Sequence, residues 1–275
     1  MQEALLFDEG ASGRPFLKWA GGKRQLLPAL LKEVPRPLPR FIEPFVGGGA
    51  LFFELRPREA LLADVNERLI RTYRGVRDHV DDVIALLREY PHDEAFFYDL
   101  REVDVDARTD AEVAAWFIYL NRTGFNGLYR VNRRNRFNVP FGRHDNPTIC
   151  DETTLRSCSR ALARSELLVG DFAESAATAR PGDFVYFDPP YVPLSVTSSF
   201  TSYTSGGFDA EDQRRLRDVA LELKRRGVNV LLSNSSAPFV RELYAEGFEV
   251  TEVSATRLVN SKVSGRGAVV ELVIR

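Results

Sequence analysis

The chain has 275 residues, with 37 Lys and Arg against 39 Asp and Glu and a formal net charge of -2. This length suits one large α/β domain or two modest ones with an ample core. With 44% apolar and 28% charged residues, the composition excludes disordered and fibrous proteins. Taken over the whole chain, the near-neutral charge argues against a nucleic-acid-binding protein, because such proteins usually carry a basic excess.

Several further classes of protein are excluded by features that the sequence lacks. Two cysteines and three histidines, without the spacing of metal ligands, predict neither a disulfide framework nor a metal site. No apolar run approaches the length of about 18 residues that a membrane span needs. The first ten residues carry acidic but no basic side chains, unlike a secretory signal. We therefore expect a cytoplasmic protein that does not associate with a membrane.

The predicted elements alternate between strand and helix along the chain. Strands are predicted at residues 41–46, 60–63, 167–170, 184–187, 228–233, 248–254 and 268–274, and helices at 23–34, 50–55, 66–75, 81–90, 94–102, 111–120, 152–163, 209–226 and 238–246. This alternation is typical of an α/β fold whose mostly parallel sheet is covered on both faces. No helix separates the last two strands, so we expect them to pair antiparallel. Residues 75–150 contain no predicted strand, and we expect them to form a helical domain inserted into a domain of residues 1–74 and 151–275.

A glycine-rich motif follows the first predicted strand. It reads Phe45-Val-Gly47-Gly-Gly49, and Asp64 ends the next strand. Glycines allow the backbone to approach a ligand closely, and an acid at the end of the second strand can accept hydrogen bonds from both ribose hydroxyls of a nucleoside. Glycine clusters also occur as plain tight turns. The combination favours a nucleoside cofactor, and either a nicotinamide dinucleotide or S-adenosylmethionine fits it.

A second motif, Asp188-Pro189-Pro190-Tyr191, follows the strand predicted at 184–187. The carboxyl ends of parallel strands form the edge where open α/β sheets bind ligands. The two prolines stiffen the turn, so a carboxylate, a backbone carbonyl and an aromatic ring are held together. This set suits an exocyclic amine on a planar base: the two oxygens accept its hydrogens, and the ring stacks on the base.

Residues 113–144 form a third candidate site. This segment contains six arginines and no acidic residue, and asparagines and aromatic residues lie between the arginines. Arginine reads guanine or holds phosphate, asparagine reads adenine, and aromatic side chains stack or wedge between bases. A solvated Arg-rich loop is the alternative interpretation. The near-neutral net charge therefore conceals one basic segment within a more acidic chain. We also expect residues 195–207 to form a mobile loop over the pocket and residues 256–267 to contact backbone phosphates.

With these motifs in place, the chain resembles the Dam family of DNA adenine-N6 methyltransferases. The resemblance runs from about Phe16 to the C-terminus and includes, besides the two motifs above, the segments 17–23, 41–45, 120–130 and 137–142. It implies a Rossmann-like, S-adenosylmethionine-dependent methyltransferase fold of the α-group, with an inserted target-recognition domain. Transfer of the methyl group would leave S-adenosylhomocysteine as product, and no metal would be required.

The resemblance also implies roles for individual residues. The catalytic motif would be Asp188, Pro189, Pro190 and Tyr191. The cofactor-binding residues would be Trp19, Lys23, Phe45, Gly47, Gly49, Asp64, Asp171 and Asp188, with Asp171 facing the cofactor's adenine. Its DNA-binding residues would be Lys18, Phe125, Asn126, Leu128, Arg130, Pro140 and His144, and the composition of residues 113–144 adds Arg122 and Asn138 as candidate DNA contacts. His144 stands where the family pattern has Tyr.

The predicted function is therefore methylation of adenine N6 in duplex DNA, at GATC or a related short palindrome, with the adenine flipped out of the helix. Methylation of another base (cytosine N4 or RNA) and an inactive DNA-binding module are the alternatives. A nicotinamide dehydrogenase would leave Asp188 to Tyr191 and the Arg-rich segment unexplained. Double-stranded DNA is the expected partner, no obligate protein partner is expected, and we expect the protein to associate with the nucleoid when bound to DNA.

Overall fold

A seven-stranded sheet organises the chain. The computed structural model describes residues 13–19, 21–192, 208–256 and 268–275. Its strands are β1 (Phe41–Glu43), β2 (Ala60–Asp64), β3 (Ser165–Val169), β4 (Phe184–Phe187), β5 (Asn229–Ser235), β6 (Val250–Thr256) and β7 (Ala268–Ile274). They lie side by side in the order β3-β2-β1-β4-β5-β7-β6. The first five strands in this order, β3-β2-β1-β4-β5, pair in parallel, and β7 pairs antiparallel with both β5 and β6. The predicted fold class is confirmed.

Helices precede, connect and cover these strands. They are α1 (Leu27–Leu30), α2 (Ala50–Leu55), α3 (Glu67–Asp78), α4 (Val80–Glu89), α5 (Glu94–Arg101), α6 (Asp110–Thr123), α7 (Glu152–Leu162), α8 (Phe172–Ala177), α9 (Ala210–Arg225) and α10 (Pro238–Leu243). The helix predicted at 23–34 is instead a short 3₁₀ turn followed by α1, because Pro28 in the first turn of α1 lacks an amide hydrogen for a continuous helix. Helix α8 was not predicted, since six residues are too few for a helical period to show. The strand predicted at 41–46 ends at Glu43, directly before Pro44.

The strand order explains where a ligand would bind. From β1 the chain crosses to β2 and β3 on one side, and from β4 it crosses to β5 on the other side. The strand order therefore reverses direction between the neighbours β1 and β4. In open α/β sheets this switch point leaves a crevice at the carboxyl edge of the strands. The glycine-rich motif follows β1 and the Asp-Pro-Pro-Tyr motif follows β4, so the fold brings both motifs to the same crevice.

The core consists of two layers, one on each face of the sheet. Alternate residues of a strand point to opposite faces, and Phe41 and Ile42 of β1 accordingly belong to different hydrophobic clusters. The cluster on the Phe41 side includes side chains of α2 to α7. The other cluster includes side chains of α8, α9 and α10. Both faces are therefore covered by helices, as the sequence pattern predicts for a mostly parallel sheet.

Two predicted features fall on parts of the chain that are not described. The loop predicted over the pocket (195–207) and all but the first residue of the segment predicted to contact phosphate (256–267) lie outside the described residues. Within the described ranges, no helix is both long and apolar enough to cross a membrane. In the same ranges, no cluster of three or more His, Cys, Asp or Glu side chains is arranged to hold a metal ion.

Candidate active site

A cavity of about 1270 Å³ opens at the carboxyl edge of the sheet. It is lined by residues that follow β1, β2, β3 and β4 and by the segment before α1. Every residue predicted to bind the cofactor and all four residues of the Asp-Pro-Pro-Tyr motif lie on its wall. These residues are far apart in the sequence, so their convergence is a consequence of the strand order and not of any local pattern.

The glycine-rich loop packs directly against Trp19. A Cβ atom on Gly47 would lie 2.6 Å from Trp19 Nε1, and Gly47 has a φ of 45°. A Cβ atom on Gly49 would lie 2.8 Å from the hydroxyl of Tyr73, and that residue has a φ of 65°. Glycine is therefore required at both positions for steric and conformational reasons. Because these glycines have no side chains, the glycine-rich loop leaves space in the cavity for a ligand beside Trp19.

Asp64, at the end of β2, faces the same wall. The backbone amide of Gly47 donates to Asp64 Oδ2 (3.2 Å), and the amide of Asn66 donates to Oδ1 (2.9 Å). Burial raises the pKa of the Asp64 carboxyl to about 6, although these two hydrogen bonds oppose the shift. Each carboxylate oxygen has further lone pairs, so the ionised group still has acceptor capacity for ligand hydroxyls.

A buried ion pair joins the segment before α1 to the end of β4. Lys23 Nζ lies 2.9 Å from Asp188 Oδ1 and donates to the carbonyl of Gly21 (2.6 Å). The hydroxyl of Ser233, on β5, also donates to Asp188 Oδ1 (2.9 Å). Burial raises the pKa of Asp188 above its ordinary value, whereas Lys23 and Ser233 oppose that rise. Lys23 therefore favours the ionised form of Asp188.

Glu43, the last residue of β1, was not predicted as a site residue. Its side chain is 2% exposed, lines the cavity and places Oε2 where no described residue hydrogen-bonds to it. Burial, and then the nearby charge of Asp188, raise the pKa of Glu43 well above its ordinary value. An unpartnered carboxyl oxygen in a cavity wall is an acceptor for a polar ligand group.

Three aromatic side chains also line the cavity. Phe45, Phe172 and Phe208 all line it, and the rings of Phe45 and Phe172 stack with centroids 5.3 Å apart. Asp171 also lies on the wall, but both its oxygens accept hydrogen bonds from Arg215 (2.8 and 2.7 Å). Burial raises the pKa of Asp171, and the hydrogen bonds from Arg215 and Ala173 overcome that effect and lower it. A nucleobase amine at Asp171 would therefore share the carboxylate with Arg215.

The Arg-rich segment begins within α6, and its remaining residues (124–144) form a hairpin-like loop beside this cavity. Isolated antiparallel bridges join Gly124 to Phe141 and Val131 to Phe137. Buried side chains of Tyr129, Phe137 and Val139 anchor the loop to the core. The residues predicted to bind DNA alternate with these anchors: Phe125, Asn126, Arg130 and Pro140 are exposed, and Leu128, Asn138 and His144 are half-buried. The loop thus presents the predicted contacts on its outer side.

Two of the predicted DNA contacts are held in place within this loop. Arg130 Nε donates to Asn138 Oδ1 (2.7 Å), and Arg130 Nη2 donates to the backbone carbonyl of Asn138 (3.2 Å). His144 Nε2 lies 3.2 Å from the carbonyl oxygen of Gly124. Phe125 is 47% exposed, which is unusual for a large apolar side chain in a loop that is otherwise anchored. An exposed ring beside an ordered arginine is consistent with a surface that meets a base pair.

A buried amide connects this loop to the segment that contains Lys18 and Trp19. Asn121 Nδ2 donates to the carbonyls of Lys18 and Gly127 (both 2.8 Å), and the amide of Lys18 donates to Asn121 Oδ1 (2.9 Å). Arg122 Nη2 donates to the carbonyl of Phe16 (2.7 Å), so this predicted DNA contact also supports the same segment. Burial, and then the charge of Arg122, lower the pKa of Lys18.

Comparison with known proteins agrees with this geometry. Residues 19–259 match the family model of the D12 class N6 adenine-specific DNA methyltransferases. The chain belongs to this family. The type II methyltransferase M1.LlaDCHI of Lactococcus lactis subsp. cremoris is 48% identical over 95% of this chain and 94% of its own. The type II methyltransferase M.MjaIII of Methanocaldococcus jannaschii is 41% identical (90% and 93%), and the DNA adenine methylase of Escherichia coli K12 is 36% identical (94% and 94%).

In this methyltransferase, an aromatic stack runs from the cavity wall to the Arg-rich loop. The ring of Trp19 is stacked on Phe117 of α6 (centroids 6.3 Å apart) and on Tyr129 of the loop (6.2 Å). Phe117 and Tyr129 are themselves stacked, with centroids 4.6 Å apart and planes at 9°. Phe117 was not predicted as a site residue, because it resembles an ordinary core aromatic. Tyr129 is one of the aromatic residues of the segment predicted to contact DNA, but its buried ring supports the loop. The stack gives the cavity wall and the loop a common support.

Proposed function

We propose that this chain transfers a methyl group from S-adenosylmethionine to N6 of an adenine flipped out of duplex DNA. One observation carries the proposal: the Asp188 to Tyr191 motif, Asp64 and the glycine-rich loop line one cavity, beside a loop that exposes Phe125 and Arg130. Membership of the D12 class supports adenine N6 in DNA as the methylated group. A DNA substrate places the enzyme in the cytoplasm, with the nucleoid.

The cavity wall fits S-adenosylmethionine. Asp64 offers carboxylate oxygens to the ribose hydroxyls. The aromatic side chains around Phe45 suit the adenine. Gly47, which packs against Trp19, has no side chain that would fill the space beside these residues. The unpartnered Oε2 of buried Glu43 offers a hydrogen-bonding group to the methionyl part. When bound, S-adenosylmethionine supplies a methyl group already activated by its sulfonium. The protein therefore has mainly to align the acceptor and stabilise charge.

The motif at the end of β4 acts on the target amine. The ionised Asp188 carboxylate and the Pro189 backbone carbonyl accept the two N6 hydrogens, which directs the nitrogen lone pair away from conjugation with the ring. Tyr191 stacks on the base. Lys23, 2.9 Å from Asp188 Oδ1, keeps the carboxylate ionised despite its burial. One N6 proton is lost on methyl transfer, and Asp188 is placed to accept it.

The exposed loop reads the DNA. Arg130 would donate both of its forked N–H groups to a guanine, and its hydrogen bonds to Asn138 prepare that orientation. Phe125 and Asn126 would fill the gap left by the flipped adenine, with Lys18, Leu128 and Pro140 contacting neighbouring positions. The resemblance of these residues to the Dam pattern supports GATC as the target, with His144 as the residue that departs from it.

Methyl transfer to defined nucleic acids tests this proposal. The purified chain is incubated with methyl-labelled S-adenosylmethionine and either a GATC duplex, the same duplex with the target adenines replaced, or RNA of the same sequence. The products are digested to nucleosides. We expect label in N6-methyladenine from the GATC duplex alone. Label in N4-methylcytosine or in RNA would support the alternative substrates, and no transfer to any of them would support an inactive DNA-binding module.

A further inference from the structure

A carboxylate of β7, the last strand in the chain, contacts the Asp-Pro-Pro-Tyr motif. The hydroxyl of Tyr191 donates to Glu271 Oε2 at 2.7 Å, across a sequence separation of 80 residues. Glu271 lies on β7, opposite Ser235 of β5 and Val253 of β6. The antiparallel insertion of β7 between these two strands is what brings Glu271 next to the crevice. No motif in the sequence points to this residue.

Tyr191 is held from two directions. Lys23 Nζ lies over one face of its ring, 4.5 Å from the centroid, while Glu271 holds the hydroxyl at the far end. Burial, and then the charges of Asp188 and Glu271, raise the pKa of Tyr191 well above its ordinary value. The phenol is therefore neutral and donates its hydrogen. Lys23 therefore covers one face of a ring that also lines the cavity.

A stacking ring needs a defined plane as well as a defined place. Pro189 and Pro190 restrict the backbone before Tyr191, but they do not determine the torsion angles of its side chain. The hydroxyl oxygen lies on the axis about which the ring turns, so its hydrogen bond holds the ring in place mainly through χ1. Because the phenolic O–H bond prefers the plane of the ring, an acceptor at a fixed position also favours one ring plane. The 2.7 Å contact with Glu271 thus supplies the constraint that the prolines cannot supply.

We propose that Glu271 is a positioning residue for methyl transfer, which sets the plane of the Tyr191 ring against which the target adenine stacks. This proposal rests on the function proposed above. The carboxylate of Glu271 is not needed for the strand itself, since β7 is anchored through its backbone pairing and the buried side chains of Leu272 and Ile274. The charge of Glu271 also raises the pKa of Asp188, so its removal would by itself only favour the ionised carboxylate. Any slowing caused by loss of Glu271 should therefore pass through the Tyr191 hydroxyl.

A double-mutant cycle tests this route. Single-turnover methyl transfer is measured for the wild type, Glu271→Ala, Tyr191→Phe and the double variant, at saturating S-adenosylmethionine and duplex DNA. We expect Glu271→Ala to slow the step about tenfold, as expected for one hydrogen bond to a charged group. The same substitution should cause no further slowing in the Tyr191→Phe background. Glu271→Gln, which keeps an acceptor oxygen, should restore the rate to within about twofold of the wild type.

Two controls keep the outcome specific. Glu252→Ala removes an exposed carboxylate of β6 that pairs with Arg241 (2.5 Å), and it should leave the rate unchanged. Calorimetry should give the same S-adenosylmethionine affinity for Glu271→Ala as for the wild type. A slowing by Glu271→Ala that persists in the Tyr191→Phe background, or no slowing at all, would overturn the proposal.

The failure of this proposal is distinguishable from failure of the proposed function. If the wild type transfers no methyl group to DNA, the proposed function fails by itself. The same four variants are then compared by chemical denaturation, where the Tyr191–Glu271 pair should show a coupling between the two substitutions. Strictly additive effects on unfolding in that case would show that the hydroxyl and the carboxylate do not constrain each other, and the positioning role would be rejected.

Discussion

Replacement of Lys23 by Met is expected to change the pH dependence of methyl transfer. Lys23 Nζ lies 2.9 Å from Asp188 Oδ1, and only 6% of the lysine side chain is exposed. At an effective dielectric constant of about 20, two unit charges at this distance interact by about 6 kcal/mol. Desolvation of the lysine offsets part of that energy, and the loss of one partner of a buried pair typically costs about 3–5 kcal/mol.

This energy translates into a shift of the Asp188 titration. One pKa unit corresponds to about 1.4 kcal/mol, so the substitution should raise the pKa of Asp188 by at least about two units. The pKa of Asp188 is already raised by burial, and Lys23 opposes that rise. Without the ammonium group, the carboxyl is protonated over a wider pH range, and in that form it cannot accept the proton that N6 loses on methyl transfer. The acid limb of the pH–rate profile should therefore move to higher pH by at least about two units, and the rate should recover as the pH is raised.

Single-turnover methyl transfer at saturating cofactor and duplex, measured from acid to alkaline pH, checks this expectation. Lys32→Met, which removes an exposed lysine near the end of α1, is the matched control and should keep the wild-type profile. If the acid limb of Lys23→Met lies at the same pH as that of the wild type, Lys23 does not control the ionisation of Asp188. The electrostatic account of the site would then be wrong.

Three further predictions follow from the same geometry. Since the pKa of Asp64 is about 6 and ribose hydroxyls need its ionised form, the affinity for S-adenosylmethionine should fall as the pH drops below about 6, and calorimetry of Asp64→Asn should lack that step. Arg130→Ala should lose about 1–3 kcal/mol of discrimination at one G·C pair, measured with a panel of substituted duplexes; unchanged preference at every pair would contradict its role. Phe125→Ala should slow methylation of a paired adenine more than that of a mismatched adenine, because a mismatch costs less to flip; equal slowing on both duplexes would exclude a part for Phe125 in flipping.

Much of the fold is predictable because its signals are local. The strands at 184–187 and 268–274 and the helix at 50–55 are found with the predicted bounds. The helix predicted at 209–226 begins with a capping box in which Asp209 accepts hydrogen bonds from the amides of Glu211 and Asp212. Where prediction failed, local signals were weak or interrupted: Pro28 divides the first predicted helix, and α8 is too short to show a period.

The candidate site, like the fold, could be predicted only in part. Asp64 and Asp188 stand at strand ends next to turn residues, so their placement could be inferred from the sequence. The partners of the site residues could not, because they depend on strand and helix packing over long distances. Arg215 meets Asp171 from 44 residues away, and Ser233 meets Asp188 from 45 residues away. The net charge of the whole chain also gave no indication of DNA binding, because six arginines are concentrated in residues 113–144 and acidic residues elsewhere balance them.

The central claim, methylation of adenine N6 at one DNA sequence through Asp188, is tested most directly in cells. Native DNA from cells that lack adenine methylation and express the wild-type chain or Asp188→Ala is sequenced with detection of modified bases. The account predicts N6-methyladenine at one short palindrome, GATC, in the wild-type sample and none in the Asp188→Ala sample. Modified cytosine, adenine methylation without a common sequence, or equal methylation by Asp188→Ala would contradict it.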